Sequence, residues 1–240
     1  MTPLQLPENT FFLIPSYRCA TPLKAFLTLL KKQVSNSAIC VVDDDSRDNT
    51  QWICESAGVI YLYHKENLGK GAALDTGFRY LISEKNARWV ITMDADGQHS
   101  PGDLFLFCKS IADHPEAGIH IGARTFKPGQ MPLDRVLSNR ITSGILSCMT
   151  QTRILDSQCG YRCYSADFLK KIRIEYKRFE MESEVILKAR FLDLPVNFVP
   201  VQTLYLNEKS NISHVTDTIR WTKAVLSVWL KRKRYQRTNL

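Results

Sequence analysis

Residues 89–99, Trp-Val-Ile-Thr-Met-Asp-Ala-Asp-Gly-Gln-His, join an apolar run to a polar turn. The run is uniformly apolar or β-branched rather than alternating, which is typical of a strand buried on both faces of a parallel sheet. Asp94 and Asp96 follow the run and are two positions apart, so on an extended backbone both carboxylates can point to one side. Because ligands of open α/β sheets bind beyond the carboxyl ends of the strands, we expect chemistry at this turn.

Similar apolar runs lie on both sides of this stretch and are separated by helix-like segments. They cover residues 11–15, 39–42, 59–63, 118–121 and 197–205. This alternation predicts an α/β fold, a Rossmann-like and mostly parallel sheet flanked by helices, with every strand buried on both faces. The region between the last two runs is less regular: a long segment at 133–149, a polar stretch at 156–164 and a helix-like run at 180–191.

The composition favours a globular protein with a single domain. The chain has 240 residues, of which 44% are hydrophobic and 23% charged. Its seven cysteines are scattered without a Cys-x-x-Cys pair, which is typical of cytosolic proteins. No window reaches the roughly 18 uninterrupted apolar residues of a spanning helix. We therefore expect a cytoplasmic protein.

The formal charge of +8 is concentrated near the C-terminus, where residues 231–237 contain five basic side chains. Apolar residues before them, including Trp221 and Trp229, recur at the spacings of an amphipathic helix. Residues 1–214 are therefore predicted to form the main domain, and 215–240 a helix with a basic tail. Two alternatives stay open: the helix lies peripherally on the inner face of an anionic membrane, or it packs on the core with a solvated tail. The chain lacks a basic stripe interleaved with aromatic residues, so no nucleic-acid partner is expected.

The Asp94–Asp96 pair suits a metal site. Hard divalent cations bind carboxylate oxygens together with substrate phosphates, so the pair would hold Mg²⁺ or Mn²⁺ against a diphosphate. The ion would then neutralise charge on a departing nucleoside diphosphate. An Asp-x-Asp-Gly sequence on its own is also common in surface turns, and this alternative stays open.

Two further polar motifs follow predicted strands. Three adjacent carboxylates at 43–45 need either hydrogen-bond donors or a ligand to compensate their repulsion. We assign Asp43 and Asp44 to a nucleotide base or ribose, and Ser46 and Asp48 to helix capping. The stretch Asn-Leu-Gly-Lys-Gly-Ala-Ala at 67–73 places Lys70 and helix-start amides where a phosphate could bind, or it is a plain loop-to-helix junction.

Four motifs together resemble one enzyme family. Ile-Pro-Ser-Tyr at 14–17, Val-Val-Asp-Asp-x-Ser at 41–46, Asn-x-Gly-Lys-Gly at 67–71 and Asp-Ala-Asp-Gly-Gln-His at 94–99 occur in order. They resemble the DXD-containing family-2 glycosyltransferases of the GT-A fold, in particular polyprenyl-phosphate sugar synthases. The likeness extends over about residues 11–214 and includes the segments at 122–124, 156–162 and 179–182.

The resemblance implies a metal-dependent, inverting transfer of a sugar. The donor would be a UDP- or GDP-sugar, and the acceptor would be lipid-linked, such as polyprenyl phosphate or a glycolipid, or another carbohydrate. The implied donor-binding residues are Pro15, Tyr17, Asp43, Asp44, Lys70, Asp94, Arg124 and Lys209. The implied metal ligands are Asp94, Asp96 and Gln98, and the implied catalytic residues are Asp96 and Glu182.

The sequence departs from the family pattern at two positions. Asp45 stands where the Asp-Asp-Gly-Ser block usually has glycine, and Arg18 follows Tyr17 where many members have asparagine. The first departure affects the turn geometry and, with it, the nucleotide preference.

Glu180, Glu182 and Glu184 begin the predicted helix at 180–191. Alternate helix positions do not share a face, so at most two of them can point into a cleft, and Glu182 is our candidate base. The alternative is an exposed acidic helix start. A lipid phosphate acceptor would need no strong base, because a phosphate with a second pKa of about 6 is mostly ionised near neutral pH. We expect His99 to orient a ligand.

Two other functions use similar features: nucleotidyl transfer and non-catalytic binding of nucleotide sugars. Nucleotidyltransferases usually have a glycine- and arginine-rich loop after the first strand, whereas this chain has Pro-Ser-Tyr-Arg at 15–18. A binding module would be expected to have lost the metal pair or the acidic helix. Glycosyl transfer is therefore the favoured function.

Overall fold

The structure is a computed structural model that describes residues 6–125, 133–202 and 214–236. In these ranges the strands are β1 (Thr10–Ser16), β2 (Ile39–Asp43), β3 (Ile60–Tyr63), β4 (Trp89–Thr92), β5 (Ile119–Arg124), β6 (Arg162–Ser165) and β7 (Val196–Val201). The helices are α1 (Ala20–Leu30), α2 (Thr50–Ala57), α3 (Lys70–Glu84), α4 (Leu104–Asp113), α5 (Leu133–Thr150), α6 (Ala166–Lys171), α7 (Met181–Phe191), α8 (His214–Leu230) and α9 (Arg232–Gln236).

The strands form one sheet in the order β3-β2-β1-β4-β6-β5-β7. β1 is parallel to β2 and β4, β2 is parallel to β3, and β5 is parallel to β7. β6 is antiparallel to both of its neighbours, β4 and β5. Consequently β1, β2, β4 and β5 all end at the same edge, and β6 begins there. The predicted α/β class and mostly parallel sheet are confirmed.

The central strands form the core, as their uniformly apolar sequences indicate. All residues of β2 and β4 are buried, and Phe12, Leu13 and Ile14 of β1 have no exposed surface. Helix α3 packs directly on β1 and β2. Its Gly77 has no room for a side chain, since a Cβ there would lie 2.2 Å from a methyl carbon of Leu13. The uniformly apolar runs are thus covered by a helix at close range.

Two details of the predicted sheet are wrong. β3 is an edge strand with half-buried residues, and Tyr63 is 62% exposed, so residues 59–63 are not buried on both faces. β6 begins inside the stretch at 156–164, which we expected to be polar rather than a strand, and ends at Ser165. The predicted strand at 197–205 ends at Val201, and residues 203–205 lie outside the described part of the chain.

Helix α8 packs against α7. Ala224, Val225 and Val228 are buried, and the half-buried Trp221 donates a hydrogen bond from Nε1 to Ser183 Oγ over 2.8 Å. For residues 214–236, this packing agrees with the alternative in which the terminal helix packs on the core. Within the described ranges, no helix combines the length and hydrophobicity that crossing a membrane requires.

Helix α7 contains a buried ion pair. The Lys188 and Glu184 side chains are fully buried, with Nζ 2.6 Å from Oε1. The Glu184 carboxylate also accepts the amides of Glu175 and Tyr176. Burial raises the pKa of Glu184, and Lys188 opposes this rise. Lys231 reaches Glu175 over 2.5 Å, so the C-terminal segment joins the same network.

Candidate active site

The carboxyl edge of the sheet brings together the motifs that follow different strands. The turn after β4 carries Asp94 and Asp96, and Lys70 begins α3 beside it. The loop that precedes β6 and the start of α7 close the other side. The site is therefore assembled from segments more than 100 residues apart, because Lys70 Nζ lies 2.8 Å from Glu182 Oε1.

Asp94 has a partner on each carboxylate oxygen. Oδ1 lies 2.7 Å from Lys70 Nζ, and Oδ2 lies 3.2 Å from Nε2 of the buried His99. Burial alone would raise the pKa of Asp94, but Lys70 and His99 hold it below its usual value. His99 thus contacts the Asp94 carboxylate, and its predicted role in orienting a ligand stays a prediction.

The negative charge of Asp96 is less well compensated than that of Asp94. Asp96 Oδ1 accepts the backbone amide of Gln98 over 3.0 Å, which closes the turn. Burial and then the neighbouring charge of Asp94 raise the pKa of Asp96. A cation close to Asp96 would therefore stabilise the ionised form of its carboxylate.

The carboxylates of Asp94 and Asp96 fit a divalent cation only if a bound substrate supplies further oxygen ligands. Among the described residues, no group of three or more His, Cys, Asp and Glu side chains could hold a metal ion. Asp94 and Asp96 supply two carboxylates, and Mg²⁺ is commonly held by one or two carboxylates together with substrate phosphates and water. The donor set therefore suits an ion that binds with a diphosphate.

Lys70 lies between two carboxylates, those of Asp94 and Glu182. Burial alone would lower its pKa, but these two charges raise the pKa above its usual value, so the side chain is an ammonium ion. The ring of Phe179, 46% exposed, lies 5.8 Å from Nζ. Lys70 is the positive centre of an otherwise acidic cluster.

Asp44 builds the loop that presents Lys70. Its Oδ1 lies 2.7 Å from His64 Nδ1 and accepts the Leu68 amide, while Oδ2 accepts the Gly69 amide over 2.7 Å. Hydrogen-bond donors of the chain itself thus compensate this buried carboxylate. The Leu68 and Gly69 amides are consequently already bonded within the protein.

Asp43 and Asp45 define the neighbouring loop. Asp43 accepts hydrogen bonds from the Ser46 amide and from Tyr61 Oη. Asp45 has φ of 63°, a left-handed conformation in which glycine is unstrained, and this explains the glycine usual at this position. Ser46 does not cap a helix as predicted, because its Oγ accepts the amide of Arg18 and so joins the loops after β1 and β2.

Pro15 and Tyr17 lie near Asp43 at the carboxyl edge of the sheet, where Ser16 between them pairs in register with Asp43. Pro15 is half-buried near the end of β1 and pairs in register with Val42. Tyr17 is 38% exposed, and the Arg18 guanidinium lies 5.1 Å from the centre of its ring. Their predicted contact with the donor stays a prediction.

Arg124, at the end of β5, is held by Asp156. Its Nε and Nη2 lie 2.7 and 3.0 Å from the two oxygens of this fully buried carboxylate, a bidentate pair. The pair fixes the guanidinium at the carboxyl edge of the sheet. The other predicted phosphate clamp, Lys209, lies outside the described residues.

Glu180, Glu182 and Glu184 are all buried, so the alternative of an exposed acidic helix start is wrong. Glu182 faces the cleft, where it contacts Lys70, and Glu184 faces Lys188. The partner of Glu182, Lys70, is 112 positions away in sequence, so spacing within the helix does not reveal it, whereas Lys188 follows Glu184 by four positions on the same helix.

Arg162 is a residue whose role sequence reasoning missed. It is fully buried at the start of β6 and donates to three carbonyl oxygens, those of Cys159, Glu182 and Ser157, at 2.7, 2.7 and 2.8 Å. It thereby fixes the loop at 157–160 to the start of α7. The available signal was a charged residue within the otherwise buried sequence Tyr-Arg-Cys-Tyr at 161–164.

Gly160 shows how closely this loop approaches the acidic turn. A Cβ at this position would lie 2.4 Å from Asp94 Oδ2. The Gly160 carbonyl accepts a hydrogen bond from Thr92 Oγ1 over 2.8 Å. The loop backbone is therefore one wall around the Asp94 carboxylate.

Comparison with known proteins places these features in one family. The family model described as glycosyl transferase family 2 matches residues 11–173. The UDP-N-acetylglucosamine–dolichyl-phosphate N-acetylglucosaminyltransferase of Methanococcus voltae is 29% identical over 217 residues, with 81% of this chain and 85% of that protein covered. The undecaprenyl-phosphate mannosyltransferase of Micrococcus luteus is 30% identical over 203 residues, with 78% of this chain and 82% of that protein covered.

Among solved structures, glucosyl-3-phosphoglycerate synthase from Mycobacterium tuberculosis, in complex with Mn²⁺, UDP and glucosyl-3-phosphoglycerate, has the same fold. Its TM-score is 0.70 at 14% identity, and the match covers 93% of this chain and 79% of that one. The sheet, the acidic turn and the match over residues 11–173 agree: the chain belongs to family 2 of the glycosyltransferases and has the GT-A fold.

Proposed function

We propose that this glycosyltransferase moves a sugar from a nucleoside-diphosphate sugar to the phosphate of a lipid-linked acceptor, with inversion and with the help of Mg²⁺ or Mn²⁺. The observation that carries the proposal is the arrangement of Asp94, Asp96, Lys70 and Glu182 at the carboxyl edge of the sheet. The names of two relatives, which act on dolichyl and undecaprenyl phosphate, support the class of acceptor.

On the donor side, Asp94 and Asp96 would hold the divalent cation. When bound, this ion supplies Lewis-acid neutralisation of charge on the leaving diphosphate. The Lys70 ammonium adds a second positive charge at the same place, and Arg124 and Lys209 are the further candidates for phosphate contacts. Pro15, Tyr17, Asp43 and Asp44 would border the base and ribose of a UDP- or GDP-sugar.

On the acceptor side, the contacts of Glu182 favour a phosphate over a hydroxyl. Glu182 Oε1 accepts a hydrogen bond from Lys70 Nζ, and Oε2 lies 3.7 Å from the buried Arg162 guanidinium. To accept a proton from a hydroxyl acceptor at Oε1, Glu182 would first have to give up the Lys70 contact. A phosphate oxygen is already largely ionised near neutral pH and attacks the anomeric carbon without such a base.

Two exposed apolar stripes support a lipid-linked acceptor and a peripheral position on an anionic membrane surface. On α8, opposite its packed face, Leu226 and Leu230 are 52% and 71% exposed beside Lys223. On α5, Leu137, Ile141 and Ile145 recur every four residues and are also exposed. Both helices pack against α7. Apolar stripes flanked by basic residues suit an anionic lipid surface.

The proposal is tested by measuring release of nucleoside diphosphate from a panel of UDP- and GDP-sugars with Mn²⁺ or Mg²⁺. Polyprenyl phosphate in anionic vesicles is supplied or omitted, and EDTA is added in a third arm. We expect acceptor-stimulated release with one class of donor and its loss with EDTA, because without the cation the two carboxylates would repel the leaving diphosphate. Release of pyrophosphate instead, or acceptor-stimulated release that persists in EDTA, would contradict the proposed reaction.

Replacing Gly160 with alanine is expected to lower turnover by about 10²-fold, because the new methyl group must displace the Asp94 carboxylate. Gly144→Ala in α5 is the matched control. A Cβ at residue 144 meets nothing within 4 Å, and removing a helix glycine typically stabilises by about 0.5–1 kcal/mol. The measurement is kcat for nucleoside diphosphate release in both variants. Equal turnover in Gly160→Ala and Gly144→Ala would refute the positioning role of the loop.

A further inference from the structure

Lys70 contacts a carboxylate oxygen of Asp94 that the proposed cation would need as a ligand. Its Nζ lies 2.7 Å from Asp94 Oδ1 and 2.8 Å from Glu182 Oε1. The other oxygen of Asp94 is engaged by His99 at 3.2 Å. Both oxygens of the central carboxylate are thus in use within the protein itself.

A divalent cation on Asp94 would stand close to the Lys70 ammonium. Two positive charges that share one carboxylate repel each other strongly, and half-burial of the site weakens solvent screening. Asp96 offers a second carboxylate, but among the described residues no third carboxylate, histidine or cysteine completes a metal-binding group. Without another ligand, the cation therefore meets a site whose main carboxylate is already neutralised.

A diphosphate removes this conflict. Its oxygens can accept the ammonium of Lys70 and can also complete the coordination of the cation. The lysine side chain is long and flexible, and Glu182 is its second carboxylate partner. The ammonium can thus change partners from Asp94 to a phosphate while its contact with Glu182 persists.

We propose that Lys70 competes with the divalent cation for Asp94, so that the cation binds weakly alone and tightly only together with a nucleoside diphosphate. The inference rests on the proposed function, since it assumes that Asp94 serves a cation and a diphosphate. Because coupling between two ligands is reciprocal, the nucleotide must raise the affinity for the cation by the same factor as the cation raises the affinity for the nucleotide.

The test is calorimetric titration of Mn²⁺ into the full chain, with and without UDP or GDP. In the unmodified protein we expect the nucleotide to tighten Mn²⁺ binding by a factor within the usual range of coupling, about 5–150-fold. In Lys70→Met we expect Mn²⁺ alone to bind at least about fivefold more tightly than in the unmodified protein, and the coupling factor to shrink towards one.

Two further variants serve as controls. Lys65→Met removes the same charge from an exposed position in the preceding loop and should leave Mn²⁺ affinity unchanged. Lys70→Arg retains the charge and should keep the weak binding of Mn²⁺ alone. Thermal unfolding checks that each variant is folded, and the coupling measured in the unmodified chain does not depend on any variant.

The inference is overturned if Mn²⁺ and nucleotide bind independently to the unmodified protein, or if Lys70→Met does not tighten the binding of Mn²⁺ alone. If metal-dependent release of nucleoside diphosphate is observed together with either result, the proposed function is still supported. Only the proposed competition between Lys70 and the cation is then refuted. Absence of any nucleotide binding or release would instead count against the proposed function.

Discussion

Asp96→Asn is expected to lower acceptor-stimulated release of nucleoside diphosphate by about 10²–10³-fold, the usual cost of losing one group that stabilises a transition state electrostatically, because the proposed cation loses one of its two carboxylates. The substitution keeps the size of the side chain, and the amide oxygen can still accept the Gln98 amide that closes the turn. What is lost is the negative charge beside Asp94. The reaction should therefore fail while the turn persists.

Stability separates this effect from misfolding. Burial and the charge of Asp94 both disfavour an ionised Asp96, so Asp96→Asn should leave the unfolding temperature unchanged or raise it. Asp113→Asn, at the exposed end of α4, is the matched control and should retain full activity. A folded Asp96→Asn protein with undiminished turnover in the same Mn²⁺ concentration would remove Asp96 from the catalytic residues.

Lys188→Met is expected to destabilise the protein by about 3–5 kcal/mol, because it leaves the buried Glu184 carboxylate without its cation. Methionine fills a similar volume, so the loss is electrostatic rather than steric. Lys188 Nζ also donates to the Arg173 carbonyl and lies 3.2 Å from Glu175 Oε1. The segment before α7 should loosen together with the ion pair. Urea unfolding followed by circular dichroism measures the change in free energy.

A double variant identifies the cause. Adding Glu184→Gln to Lys188→Met removes the uncompensated charge and should recover part of the lost free energy. Lys171→Met, at the exposed end of α6, controls for loss of a lysine and should change stability by less than about 0.5 kcal/mol. A loss in Lys188→Met no larger than in Lys171→Met would show that the buried pair contributes nothing to stability.

The sequence correctly predicts the strands that are buried on both faces of the sheet. It is wrong about the edge strand β3 and about β6, which begins with a buried charged residue. β2 and β4 are uniformly apolar because both of their faces are covered. β3 is also apolar in sequence, but none of the described strands pairs with its outer side, and Tyr63 is exposed. β6 begins with a buried arginine, and its conformation comes from pairing with β4 and β5 rather than from its own pattern.

The candidate site was predictable as a list of motifs but not as a network. Asp94, Asp96 and Lys70 were found because acidic and basic residues follow strands at known positions. The pairing of Lys70 with Glu182 spans 112 positions of sequence, and no local spacing reveals it. Asp44 illustrates the same limit, since its role in the loop appears only when the donors around it are known.

The antiparallel strand β6 also affects the order in which the protein can assemble. Among the described strands, β5 and β7 join the rest of the sheet only through β6, and β4 pairs with β6 only after a segment about 70 residues later in the chain has been translated. Gly160, which borders Asp94, precedes β6 in the chain. A nascent chain that has left the ribosome only up to α4 therefore contains the acidic turn but not the wall beside it. Contacts of such long range slow folding, so the growing chain carries unpaired strand edges that chaperones can bind before the enzyme becomes competent.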